Sequence, residues 1–321
     1  MFLFISGLLS GWEIHSHFNF LAPSIREKHE GQFEFINPLL ECVGSEELIS
    51  QEVKSFKDKL AALIDTEIKK KKTANVAVYF RDLDDGPWFG INEGTSFAPA
   101  SLLKVPIMMG YLKKAESEPG LLKTKIKFDR VPPPFSQYFE TKDKMEYGKS
   151  YTVEELLFRM IVYSDNYATH LLMTFDKEDL IDDAYKELGI PDPYKAGASY
   201  EIAVAEYASF FRILYNASYL NKEMSNRALK MLSNVDFPGG IRAGLPANVP
   251  VAQKFGEREL DKGQRQLHDC GIIYYPGSPY LLCVMTKGTS FEDLDHVITD
   301  ISRTAYEEVD SQMRIKLGKA H

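Results

Sequence analysis

Ser101 and Lys104 stand three residues apart in Phe97-Ala-Pro-Ala-Ser101-Leu-Leu-Lys104, at the head of a strongly apolar run. On a helix that spacing sets both side chains on one face, about one turn apart. A serine hydroxyl is a poor nucleophile until a neighbour takes its proton. A lysine can take it only when burial or another cation lowers its own pKa. The pair therefore suits nucleophilic catalysis, and a helix N-terminus also offers the Ser101 backbone N–H to developing negative charge. Further along, Tyr163-Ser164-Asp165-Asn166 supplies a hydroxyl for proton relay at Ser164 and an amide at Asn166 to hold a substrate peptide bond, with Asp165 structural. Lys254-Phe255-Gly256 ends a strand-like run, where a glycine permits close backbone approach to a ligand. The N–H of Glu257 would then face that ligand. Read singly, each has a plainer account: a capping serine with a surface lysine, a polar turn, an edge-strand lysine before a terminating glycine. In this order, each in a fitting context, the three are far more specific.

The elements around them follow from periodicity. Ile49, Val53, Phe56, Leu60, Leu63 and Ile64 recur at three and four, which predicts an amphipathic helix within 45–72. Residues 75–82 and 88–92 read as a hairpin across Asp84-Asp-Gly-Pro87. A buried helix starts near Ser101, and about twenty polar residues including Pro132–Pro134 then interrupt regular structure. Thr152 with Glu155 forms a capping-box pair that opens a helix through Leu156, Leu157, Met160 and Ile161. Helical patterns run over 167–188, 201–215 and 223–232. Strand-like runs follow at 249–255, 271–275 and 280–285, the last two joined by the Pro276–Pro279 turn. A final amphipathic helix uses Phe291, Leu294, Val297, Ile298 and Ile301. Strands segregated at the two ends of the chain favour α+β. The expected architecture is a five-stranded antiparallel sheet flanked by terminal helices, plus an all-helical lobe over about 98–235. The groove between them is the natural ligand site.

The set S-x-x-K, S-D-N and K-x-G resembles the class A β-lactamase and penicillin-binding protein superfamily of serine hydrolases, over roughly residues 45 to 315. The resemblance implies an acyl-enzyme on Ser101 with a β-lactam or a D-alanyl amide, and Lys104 as the acylation base or its partner. It implies that Ser164 protonates the leaving nitrogen and that Lys254 supports Ser164 and attracts a substrate carboxylate. Asn166 would orient the acyl side chain, while Gly256 and the N–H groups of Ser101 and Glu257 would shape the oxyanion site. Two departures stand out. Phe255 replaces the family's hydroxyl residue; strand alternation points it away from Lys254, and Glu257 adds an anion that would repel a carboxylate unless Arg258 pairs with it. The stretch 187–199 is about a dozen residues too short for the usual deacylation Glu, with Glu187 and Glu201 as substitutes of last resort. A penicillin-inhibited D-Ala-D-Ala peptidase or transpeptidase, and a non-catalytic binding protein, therefore remain alternatives.

Composition bounds the rest. The 321 residues carry 46 acidic and 38 basic side chains, a net charge of −8 that gives no footprint for nucleic acid. The implied partner is a small β-lactam or a peptidoglycan stem peptide. The seven histidines form no metal pattern and no cofactor is implied; His268-Asp269 reads as a hydrogen-bonded turn before a strand. Three cysteines make no disulfide framework, and Cys270 and Cys283 read as buried free thiols. Residues 1–44 divide into an apolar start and an aperiodic linker or wrapping arm, ahead of one domain over 45–321. Met1 to Leu9 is too short to span a bilayer and lacks a basic start. It reads as an incomplete signal or signal-anchor, or as a tail packed on the domain. The signal reading implies an extracytoplasmic protein, anchored to the membrane where the segment is retained.

Overall fold

The computed structural model describes residues 24–29, 33–45, 51–84, 87–130, 137–140, 143–175, 180–190 and 201–318. The apolar start and Pro132–Pro134 lie outside the described residues, as do 191–199 of the short stretch. The chain runs β1 (Ser24–His29), β2 (Leu39–Ser45), α1 (Gln51–Lys69), β3 (Asn75–Asp82), β4 (Trp88–Ile91) and β5 (Ser96–Phe97). A 3-10 turn (Ala100–Leu103) leads into α2 (Lys104–Ser117), then β6 (Lys125–Lys127) and β7 (Ser150–Thr152). Next come α3 (Val153–Val162), α4 (Asn166–Phe175), α5 (Leu180–Leu188), β8 (Ile202–Ala203), α6 (Val204–Tyr215), α7 (Lys222–Leu232) and α8 (Gly240–Ala243). The end is β9 (Val251–Glu259), β10 (Arg265–Ile273), β11 (Tyr280–Gly288) and α9 (Phe291–Gly318).

The expected α+β architecture holds. The main sheet is antiparallel, in the order β4-β3-β11-β10-β9, so strands from both ends of the chain close one surface. Alternation divides its side chains. Ala77, Tyr79, Leu281, Cys283 and Met285 join the core of the helical lobe. Val76, Val78, Phe80, Leu282 and Val284 pack under the terminal helices. Helix α9 buries Leu294, Val297, Ile298, Ile301, Ala305 and Val309 at spacings of three and four, the stripe that holds it on the sheet. The Thr152–Glu155 capping box forms in both directions.

Four expectations change. The arm contains an antiparallel hairpin, β1 with β2, and Phe35 and Ile36 are buried against the lobe core. The interruption after α2 contributes β6, which pairs with β7. Cys270 and Cys283 sit directly opposite in the β10–β11 register and form a disulfide, where free thiols were expected. Register, which composition does not encode, makes them partners. His268 and Asp269 lie inside β10, fully buried on opposite faces, because the strand begins at Arg265.

Candidate active site

The groove lies between the edge strand β9 and the helical lobe. Leu102 N–H donates to Pro99 O at 3.0 Å, closing the turn that carries Ser101, and Ala100 before it adopts φ +51°. Two buried side chains brace the turn. Tyr207 Oη donates to Leu102 O at 2.9 Å. His268 Nδ1 accepts from Thr286 N–H at 3.2 Å, so Nε2 carries the proton that reaches Ala98 O at 3.0 Å. Burial pushes that imidazole down to about 4, which keeps it in this neutral form. Gly256 permits the other approach. A Cβ there would meet Pro99 O at 2.9 Å and Leu102 N at 3.0 Å, so only glycine lets β9 press on the Ser101 turn. The close approach expected toward a ligand is thus made first toward the serine turn itself.

Lys104, the first residue of α2, is 3% exposed. Its Nζ donates to Ser164 O at 2.6 Å, Asn166 Oδ1 at 2.7 Å and Ser164 Oγ at 3.1 Å. From the other side, Lys254 Nζ donates to Ser164 Oγ at 3.0 Å and to Phe255 O at 2.9 Å. Ser164 is therefore held between two lysines, at φ +53°, a strained backbone for a residue with a Cβ. Asp165 is structural, as its place in the turn implied. Its Oδ1 accepts from the N–H groups of Tyr167 and Ala168 at the start of α4, and its Oδ2 from Arg159 Nε at 3.3 Å.

Burial of two ammonium groups sets the electrostatics. Desolvation lowers Lys104 to about 7, against the pull of Asp165 and Glu257. Lys254 falls well below the lysine range through desolvation and then repulsion by Lys104. A lysine that loses its proton near neutrality is what serine activation requires.

One expectation about the third motif is corrected, and one condition on it is not met. Phe255 does not keep clear of Lys254: Nζ lies 4.2 Å from its ring centroid. The long lysine stem turns back over its own strand to the Phe255 carbonyl, and at the sheet edge nothing separates the two faces. Glu257 is not held by Arg258. Its carboxylate accepts from Tyr138 N–H at 3.1 Å and Phe139 N–H at 3.0 Å. Desolvation nevertheless raises its pKa.

Those contacts introduce residues that sequence reasoning missed. Gln137 Nε2 donates to Ser164 O at 3.3 Å, and Phe139 packs edge-on to Phe237 and Phe255 at 5.0 and 5.8 Å. Phe237 stacks on Phe255 at 4.2 Å. Gln137 and Phe139 belong to no motif, and their aromatic and proline-rich surroundings gave no periodic signal. Tyr138 and Tyr147 are exposed, Tyr163 is half-buried and Tyr151 is buried. Glu187 is exposed on α5 and hydrogen-bonds Tyr219; Glu201 is exposed just before β8.

A family model described as "Beta-lactamase enzyme family" matches residues 55–309. The chain belongs to that family. The fold is shared with solved structures. A β-lactamase from Xanthomonas campestris is 19% identical at TM-score 0.66, covering 79% of this chain and 98% of that one. A class A β-lactamase from Mycobacterium abscessus is 24% identical at TM-score 0.66, covering 79% and 99%. A PBP-A mutant, solved as an acyl-enzyme complex with penicillin G, is 20% identical at TM-score 0.65, covering 79% and 97%. No curated protein sequence matches the chain. Among the described residues of this β-lactamase-family chain, no helix is long and apolar enough to cross a membrane.

Proposed function

We propose that this β-lactamase-family protein is a serine hydrolase that forms an acyl-enzyme on Ser101 with β-lactam or D-alanyl-peptide amides. The observation that carries the reading is the buried chain from Lys104 through Ser164 Oγ to Lys254. On losing its proton Lys104 gives up one of its three donated bonds, and the freed lone pair takes the Ser101 proton as Oγ attacks the carbonyl carbon. The N–H groups of Ser101 and Glu257 receive the oxyanion. The C–N bond breaks, Ser164 gives its proton to the leaving nitrogen, and Lys104, which holds the Ser101 proton, restores it. Asn166, anchored by Lys104, orients the acyl side chain.

The family's deacylation Glu has no counterpart in the sequence, and exposed Glu187 faces Tyr219. This favours a second reading on the same site, a D-Ala-D-Ala peptidase or transpeptidase that penicillin traps because the acyl-enzyme hydrolyses slowly. A non-catalytic binding protein would have no need of two lysines buried against one serine. The β10–β11 disulfide supports action in an oxidising, extracytoplasmic compartment. The N-terminal segment would anchor the protein there where it is retained.

A fluorescent penicillin followed by mass spectrometry over time, on wild type and Ser101→Ala, tests all three. A lasting adduct on Ser101 supports the peptidase, and rapid loss with turnover supports the lactamase. Absence of any Ser101 adduct refutes both enzymes.

A further inference from the structure

Resting on the acyl-enzyme reading, though against its D-Ala-D-Ala form, whose leaving D-alanine carries a carboxylate, we infer that the leaving-group side of the Ser101 site selects donors with no anion beside the scissile bond, taking neutral esters and amides ahead of carboxylates. Ser164 Oγ marks that side, since it faces both lysines and is the hydroxyl placed to protonate a leaving atom. A carboxylate arriving there needs a cation with a free N–H. Lys254 borders that side, and its N–H groups are already engaged. Two of its N–H bonds go to Phe255 O and Ser164 Oγ, at 2.9 and 3.0 Å, and burial disfavours its charge. The Phe255 ring covers a further face of Nζ at 4.2 Å.

The surroundings continue the same chemistry. Phe237 lies flat on Phe255, and Phe139 closes over both, so the wall beyond Lys254 is aromatic. An ionised group against such a wall loses hydration without a partner. One residue past Gly256 stands the Glu257 carboxylate, whose charge pulls against the burial that lowers Lys104 and Lys254. It would repel a second anion. The guanidinium of Arg265 is committed elsewhere: it donates to Glu259 and Thr289 O and covers the Phe291 ring. A neutral, apolar leaving side meets none of these penalties and gains the aromatic contact.

The test is a matched pair, benzylpenicillin as free acid and as methyl ester, which share acyl group and strained ring. In both, Ser101 Oγ bonds to the lactam carbon, the C–N bond breaks and one proton moves to nitrogen. Ser101 labelling rates are read by mass spectrometry on wild type, Glu257→Gln and Phe255→Thr. The ester is expected to label wild type at least about tenfold faster, because only the acid strands a charge there. Glu257→Gln should narrow the gap by removing the fixed anion. Phe255→Thr should narrow it further by restoring a hydroxyl and uncovering Lys254. If Phe255→Thr does not fold, Glu257→Gln carries the comparison. Equal or faster labelling by the acid overturns the inference alone, and would point to exposed Arg258 as the cation that meets it. No Ser101 adduct from either compound overturns the acyl-enzyme reading, and this inference with it.

Discussion

On the proposed mechanism, the pH at which Ser101 becomes reactive follows from the burial of Lys104. An ordinary lysine titrates at 10.5, and desolvation brings this one to about 7. At pH 7 about half the molecules then hold a neutral base, against about 0.03% for an unshifted lysine, a difference of about a thousandfold in competent enzyme. Acylation should therefore fall about tenfold per pH unit below 7 and level off above about 8. The assay is the initial rate of Ser101 labelling from pH 5 to 9, using whichever member of the penicillin pair reacts faster. The same burial makes a statement about stability. The folded pKa lies below the unfolded one, so the unfolded chain binds more protons between about pH 7 and 10.5 and stability rises with pH across that window. Below about pH 7 the full cost of a buried ammonium is present, about 5 kcal/mol at most. Lys104→Met removes that cost but strands its acceptors on Ser164 and Asn166, which returns about 1–3 kcal/mol. The variant should thus label not at all and yet unfold at higher denaturant concentration at pH 6, with the advantage shrinking toward pH 10. A labelling midpoint near 10, or a Lys104→Met variant less stable than wild type at pH 6, refutes the claim that Lys104 is a desolvated base.

Gly256→Ala would force the β9 edge a few tenths of an ångström off the nucleophile turn. Overpacking there costs about 1–3 kcal/mol, and labelling should slow by about tenfold or more, measured by chemical denaturation and mass spectrometry. Asp269, buried with its pKa raised to about 7 by desolvation, binds a proton in the fold that the unfolded chain releases from about pH 4 upward. Stability is therefore present below that range and lost as pH rises from about 4 to 7. Asp269→Asn should flatten this part of a melting-temperature profile. Reduction of the Cys270–Cys283 bridge, or Cys270→Ala, should lower stability by about 2–3 kcal/mol, as expected for a closed loop of 13 residues. An unchanged melting temperature under dithiothreitol would contradict it.

The sequence by itself determined much of this protein, because the signals are local. Periods of two and 3.6 set the strands and helices, and segregation of strands at the chain's ends set the α+β class. The Thr152–Glu155 box set where a helix begins. Residue types at fixed spacing nominated Ser101, Lys104, Ser164, Asn166 and Lys254, and the structure joins the last four in one hydrogen-bonded group. What only the tertiary structure decided depends on register and long-range approach. Cys270 meets Cys283 because β10 and β11 pair in one register, and a slip of one residue would part them. His268 props the Ser101 turn from 170 residues away, and Glu257 reaches across 118 residues to Phe139. Phe255 met Lys254, against strand alternation, because an edge strand lets a long side chain cross between faces. Alternation describes where Cβ atoms point; where four carbons beyond them arrive is fixed by which neighbours bury them and which acceptors they find.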